Sequence, residues 1–451
     1  MPRTRFTSPV AAAILLTLAV GGTAGAAPGG PGSIGANPTP TPVPTAPGNL
    51  AGNPTPTPAG PGDLTIPTPQ PDPPAPAGST DLAAGPPLDL DAIVEELEKQ
   101  MHAGSTPSAG WSYSIVRDGS LVAGNAEGLA RRTGDGAPGP LGRKFKQTTR
   151  IEIMSATKPV TAMAIVRALD RAHIPVDTPI GSYLPASWAK GPGFDPASAS
   201  PITFRHLLTH TSGILQAFQD PDVDHTGWGN AWDGLQPLVA SGAVPNVGAG
   251  EQYKNANYAL LRVILPKLWA LDGGPSSAVT EGNHGLRYLD YVNTKVLAPA
   301  GIAATSCWDA FDGMAARVYD KNNLGIGGSL VEYADDQHGE CGGHRGLHLS
   351  SYDLAKLTST LRGSTAIMSA SARDEMFHGR LGWSTLSDRA GTDRAGLWWH
   401  GGDGFFGGGR EVHTCVMNAP QRYQLAIVIN SQTPTSTYQC TILKKAVNAG
   451  R

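Results

Sequence analysis

Strand-forming segments occur at both ends of the foldable part of this chain and are scarce between them. On the N-terminal side Trp111 to Val116 reads as a strand, Asp118-Gly119 as a tight hairpin turn, and Leu121 to Glu127 as the return strand. On the C-terminal side Trp398 to Gly402, Arg410 to Met417 and Tyr423 to Asn430 have the same extended character. The sheet must therefore be assembled from both ends, with a mostly helical region inserted between. The expected fold is α+β: an antiparallel sheet flanked by helices, its sheet part about residues 89–150 and 380–451 and its helical part about 151–380. Leu90, Ile93, Val94, Leu97 and Met101 mark one face of a first helix, opened by Asp89 or Asp91 and ended by Gly104. A short helix lies within Ile202–Ile214, with Thr203 as its cap and Gly213 past its end. Ala256 to Leu265 is another, stopped by Pro266, and Ser350-Ser-Tyr-Asp353 opens a further one with capping-box chemistry. A terminal helix runs around Cys440 to Val447.

The stretch Ile151–Leu169 sits where the sheet segment hands over to the helical one, and clefts often lie at such junctions. Pro159 fits only the first turn of a helix, so the helix starts at or just before Ser155. Residues three apart share a helix face, so the Ser155 hydroxyl and the Lys158 amine can meet. The hydroxyl then lies at the positive end of the helix dipole. Serine is a poor nucleophile until a neighbour takes its proton, and a lysine does so only when desolvation or another cation lowers its pKa. A second S-x-x-K, Ser187-Trp-Ala-Lys190, runs into Gly191-Pro192-Gly193 and lacks the apolar helix, so it reads as an accidental match.

Composition narrows the surroundings. The formal net charge of −3 gives no basic excess for nucleic acid or an anionic membrane surface. Residues 1–26 read as a secretory signal, with Arg3 and Arg5, an apolar run from Val10 to Val20, and the small-residue site Ala24-Gly25-Ala26. Residues 27–88 are rich in Pro, Thr and Gly and carry the partial repeat Asn37–Pro42 and Asn53–Pro58, which reads as an extended linker or wall-spanning tether. The remainder, 89–451, is expected to form one domain. The expected location is secreted or periplasmic, with cell-wall association open, and no membrane span. Cys307, Cys341, Cys415 and Cys440 suggest disulfides. Of three pairings, Cys307–Cys341 with Cys415–Cys440 is favoured because each closes a local segment. His206 and His210 are four apart, but the glutamate of H-E-x-x-H is missing, so structural histidines and no metal are expected.

Two further triplets complete a pattern: Tyr253-Lys-Asn255, and His400-Gly-Gly402 on a late strand. Together with Ser155-Ala-Thr-Lys158 and the longer Ile202-Thr-Phe-Arg-His-Leu-Leu-Thr-His-Thr-Ser-Gly213, the chain resembles the serine β-lactamase and penicillin-binding-protein superfamily, in its class C β-lactamase, DD-carboxypeptidase and related esterase branch. The resemblance spans residues 89–451. Tyr291-Val-Asn293, His225-Thr-Gly227 and His344-Arg-Gly346 also fit the short patterns, but only His400 is followed by two strands and a closing helix. A G-x-S-x-G elbow is absent.

The resemblance implies roles. Ser155 attacks a carbonyl to form an acyl-enzyme, Lys158 takes its proton, and Tyr253 relays a proton to or from the leaving group. Asn255 bonds the substrate amide and helps hold Lys158. The backbone N–H groups of Ser155 and Asp403 form an oxyanion hole, and His400 and Gly402 line the strand side. No metal or organic cofactor is implied. Trp398, Trp399, Phe405 and Phe406 either line an apolar substrate pocket or pack as core or lid.

Three departures bear on substrate. Histidine replaces the lysine of true class C β-lactamases, Lys254 is bulky and should point away from the cleft, and Asp403 beside the oxyanion position is expected to repel anions. The expected function is hydrolysis of D-alanyl-D-alanine-type wall peptides, then of esters or D-amino-acid amides, then of β-lactams. The partner is a small peptide or ester, with peptidoglycan included, acted on by a monomer. The rival reading is a non-catalytic wall-binding or penicillin-sensing protein.

Overall fold

A computed structural model describes residues 87–135, 141–198, 201–214, 232–242, 244, 246–307, 315–322, 327–328, 341–383 and 397–451. The stretch read as a secretory signal, all but the end of that read as a linker, and the His225-Thr-Gly227 triplet lie outside this set. In chain order, α1 (Leu90–Met101) leads to β1 (Gly110–Arg117) and β2 (Ser120–Arg131). Next come β3 (Arg143–Lys144), β4 (Ile151–Glu152), a 3₁₀ turn (Met154–Ala156) and α2 (Thr157–Ala172). The helical stretch holds α3 (Phe204–Leu208), α4 (Trp232–Ser241), α5 (Asn255–Leu271) and α6 (His284–Tyr291). Then β5 (His348–Leu349), α7 (Ser351–Gly363) and α8 (Ala370–His378) return the chain to β6 (Trp398–Phe406), β7 (Arg410–Asn418), β8 (Tyr423–Ile429) and α9 (Gln439–Ala449).

Six strands form one sheet in the order β3-β2-β1-β8-β7-β6, antiparallel throughout, and β4 pairs antiparallel with β5 in a separate two-stranded one. The two ends of the chain meet where β1 pairs with β8, from Trp111 opposite Ile429 to Arg117 opposite Tyr423. The hairpin closes at Asp118 and Gly119, both at positive φ (51° and 81°), whose twist matches that of the strands.

Alternation sorts the two faces. Trp111, Tyr113 and Ile115 of β1 join Leu425, Ile427 and Ile429 of β8 in a core shared with α1 and α9. On the other face, Ala426 and Val428 belong to the larger core that runs into α2 and α5. Ser112 and Ser114 meet Ser351 at the start of α7 through hydroxyl contacts of 2.9 and 3.0 Å. Each fully buried aliphatic side chain contributes about 1.5–3 kcal/mol, which explains strands apolar on both sides in the centre of the sheet. Ser350 caps α7 with Asp353 as a reciprocal box, and Asp89 caps α1.

One expectation changes. Pro266 does not stop α5, which runs on to Leu271. Its ring and missing N–H cost about 3 kcal/mol. Leu268 and Trp269, buried beyond it, offset that cost by packing. The helix α7 lies on β1 and β8, and the larger core runs through both sheet and helices. Both disulfides close as the local pairing, Cys307–Cys341 and Cys415–Cys440, with Cα atoms 5.3 and 5.4 Å apart. Among the described residues no helix is long and apolar enough to cross a membrane.

Candidate active site

Ser155 is presented by a strained turn. The chain leaves β4, and Met154 adopts φ 52°, a left-handed conformation costly for a non-glycine residue. This reversal aims Ser155 off the strand and into the first turn before α2. Met154 packs where a side chain on Gly404 would be: a Cβ there would come within 2.6 Å of Met154 Cε. Gly402 is bare for the same reason, since a Cβ would meet the Ile153 carbonyl oxygen at 2.4 Å. The free edge of the sheet therefore closes on the Ser155 turn through the even-numbered positions of β6. The odd positions face α9, where a Cβ on Gly401 would strike Tyr438.

Lys158 is fully buried on α2 and donates from Nζ to Ser155 Oγ at 2.9 Å and to the His344 carbonyl oxygen at 3.1 Å. The same ammonium lies 4.6 Å from the centre of the Tyr253 ring. The segment carrying His344 is tied down around it. Thr161 donates to the Gly343 carbonyl at 2.6 Å, the buried Glu152 accepts from the Gly346 N–H at 2.7 Å and from Arg345 at 3.2 Å, and Cys341 is bridged to Cys307. His344-Arg-Gly346 thus acts through its backbone, a role no side-chain pattern announces.

Tyr253 is half-buried on extended chain just before α5, and Asn255 is the first residue of that helix. Lys254 between them is extended (φ −140°, ψ 128°), the backbone on which neighbouring side chains alternate. His210, at φ 57°, packs against Tyr253 with ring centres 4.4 Å apart and the planes tilted by 36°. Its Nδ1 accepts from the Lys254 N–H at 3.2 Å and lies 3.0 Å from Asn257 Nδ2. Burial, then the charge of Lys158, drives the His210 pKa well down. Of the two histidines expected to be structural, His206 is that: its Nδ1 accepts the Thr203 N–H in the cap of α3. His210 is more, since it walls the site.

His400 is buried, with its ring 6.3 Å from that of Tyr253. Its Nδ1 lies 2.7 Å from the Gly401 carbonyl oxygen, which only accepts, so that nitrogen carries the proton. Burial, with the neighbouring Lys158 charge, lowers its pKa to about 3. At neutral pH His400 is uncharged and its Nε2 is a lone pair. A cavity of about 160 Å³ lies among Thr209, His210, Glu251, Tyr253, Arg380, Trp383 and His400.

The four aromatic residues offered as pocket lining are not on that wall. Trp399 belongs to the core under α9, Trp398 packs on Phe377 with ring centres 5.3 Å apart, Phe406 packs on the larger core and Phe405 is exposed. The cavity's indole is Trp383 instead. Asp403 does not repel into the cleft either. Its side chain is on the α9 face, where His413 Nδ1 lies 2.6 Å and Gln439 Nε2 3.0 Å from Oδ1. Ser187 and Lys190 are exposed in a turn, and Asn293 is engaged by the Thr305 backbone.

A serine bonded to a buried lysine at the head of a helix, facing the free edge of an antiparallel sheet with helices on both sides, defines the β-lactamase/transpeptidase type of serine hydrolase fold. The chain belongs to the Beta-lactamase family, whose model matches residues 90–447. It is 33% identical over 125 residues to esterase EstB of Burkholderia gladioli, covering 28% of each chain. It is 27% identical over 179 residues to penicillin-binding protein 4* of Bacillus subtilis (strain 168), covering 37% of this chain and 32% of that one. The matched segments thus span about a third or less of these relatives' lengths. Among solved structures, a β-lactamase/D-alanine carboxypeptidase from Pseudomonas syringae superposes with a TM-score of 0.56 at 15% identity, over 79% of this chain and 98% of that one. The octameric penicillin-binding protein homologue from Pyrococcus abyssi does so with 0.54 at 22%, over 80% and 76%. These two likenesses concern the fold.

Proposed function

We propose that the chain hydrolyses acyl compounds through a covalent intermediate on Ser155, with uncharged carboxylic esters and amides as its first substrates. The observation that carries this reading is the 2.9 Å contact between Ser155 Oγ and the buried amine of Lys158. In its neutral form that amine takes the hydroxyl proton along the same line as Oγ bonds to the carbonyl carbon. The carbonyl oxygen, now anionic, lies between the N–H groups of Ser155 and Asp403. Collapse breaks the bond to the leaving group, which receives a proton by way of Tyr253, and Asn255 holds the acyl side. Water then attacks the ester of Ser155, and the same groups act in reverse.

The third motif orders the substrates. A neutral His400 offers a lone pair where a lysine would offer a cation, so a carboxylate beside the scissile bond gains nothing there. That favours esters and amides over D-alanyl-D-alanine peptides, and both over β-lactams. Cleavage of wall peptides is the second reading, supported by Arg380 on the same cavity, a cation able to pair with a terminal carboxylate. We also read residues 1–26 as a leader, 27–88 as a spacer and 89–451 as the hydrolase domain of an exported monomer. The test is a parallel assay of a p-nitrophenyl ester, acyl-D-Ala-D-Ala and nitrocefin with wild type and Ser155→Ala. Hydrolysis that persists in the variant rejects the reading, and turnover of the peptide alone reverses the substrate order.

A further inference from the structure

The Gly402–Asp403 peptide is fixed from behind. Gln439 Nε2, at the start of α9, lies 3.2 Å from the Gly402 carbonyl oxygen, 3.0 Å from Asp403 Oδ1 and 2.9 Å from the Thr414 carbonyl oxygen. Thr414 Oγ1 also reaches the Gly402 carbonyl, at 3.5 Å, while bonding the Ile153 carbonyl at 2.7 Å. In a trans peptide the carbonyl and the following N–H point in opposite directions. With the Gly402 oxygen drawn toward α9 and β7, the Asp403 N–H is turned toward the free edge, where the Ser155 turn sits.

His413, opposite Asp403 on β7, completes the hold. Its Nδ1 lies 2.6 Å from Asp403 Oδ1 and its Nε2 2.8 Å from Glu411 Oε2. Carboxylates only accept, and a neutral imidazole has one N–H. Two such contacts on opposite nitrogens require both protons, so the ring is an imidazolium between two anions. The other charged or titratable neighbours are Tyr438, the residue before α9, which senses Asp403, and Lys321, which senses Glu411. The Cys415–Cys440 bridge fastens β7 to the first turn of α9 beside this cluster.

We propose that Gln439 and protonated His413 are positioning residues that aim the Asp403 N–H at the oxyanion formed on Ser155. The inference rests on the reading of that N–H as an oxyanion donor. Deprotonation of His413 leaves one carboxylate without its bond and frees the strand, so the rate of acylation falls as pH rises through the titration of this ring. Burial alone would lower the His413 pKa, but the bonds to Asp403 and Glu411 outweigh it and raise it above the ordinary value.

The experiment measures pre-steady-state acylation by p-nitrophenyl acetate against pH for wild type, Gln439→Leu and His413→Gln, with folding followed by thermal melting. Losing an oxyanion donor outright costs about 10²–10³ in rate, so misaiming one should lower kcat by about tenfold or more while KM stays within about threefold. His413→Gln should also lose the alkaline decline shown by wild type. Should a variant not fold, the wild-type decline is compared with the NMR titration of the His413 imidazole. The proposal is overturned if both variants fold and keep the wild-type kcat and pH profile, or if wild-type acylation is flat across that titration. A wild type that forms no adduct on Ser155 refutes the underlying reading instead.

Discussion

His400 and His413 lie on neighbouring strands at the same edge of the sheet, both buried, and hold opposite charge states. His400 meets a backbone carbonyl and a lysine charge, and it is neutral. His413 meets two carboxylates, and it is charged. Burial is common to both and lowers the pKa of each. The partners decide the outcome. The cleft-facing side of β6 is thereby kept free of charge, while the charges that brace the strand are placed on its α9 side.

The largest expected effect tests the neutral side. Lys158→Ala removes the only proton acceptor placed against Ser155 in the proposed mechanism, and kcat should fall by about 10²–10⁴, measured by ester turnover with folding checked by melting. Gly402→Ala drives a methyl group into the Ile153 carbonyl at 2.4 Å and into Thr414 Oγ1 at 2.5 Å, so β6 must move off the Ser155 turn. A loss of about 10²-fold in kcat follows if the oxyanion geometry is set there, and a variant with full activity would break that link. His400→Lys sharpens the comparison by placing a cation on the cleft side. The ratio of kcat/KM for a carboxylate-bearing substrate to that for a neutral ester should rise by about tenfold, roughly 1.4 kcal/mol of discrimination.

The smallest effect is on stability, and its sign differs between the two histidines. The folded-state pKa of His400 is depressed from 6.5 to about 3, so the unfolded chain binds more protons between those values. Its contribution is therefore present above 6.5 and is lost as pH falls toward about 3. His413 is raised, so its contribution is full below the ordinary value and is lost as pH climbs through the raised one. Melting His400→Phe and His413→Gln across pH should flatten the acid side in the first and the alkaline side in the second. Identical curves for both would remove the distinction.

Much of this was legible in the sequence where a local rule applies. The Asp118-Gly119 hairpin follows from two residues tolerant of positive φ, and the caps at Thr203 and Ser350 follow from short polar side chains ahead of apolar turns. The meeting of Ser155 and Lys158 needs only helical spacing. What could not be read depends on contacts distant in the chain. The His344 carbonyl holds Lys158 across 186 residues, and a carbonyl carries no sequence signature. Asp403 could be seen beside the oxyanion position, but only the pairing of β6 with β7 and the seating of α9 show that it is bonded to His413 and Gln439. The aromatic residues of β6 misled for a related reason, because alternation assigns Trp399 to the α9 face and the pocket's indole comes from Trp383.

The most direct test is intact-mass and peptide analysis after brief exposure to an activated ester at neutral pH. The account predicts one acyl group per chain, on the peptide containing Ser155, and none in Ser155→Ala. An adduct on another residue, or equal labelling of the variant, would contradict it.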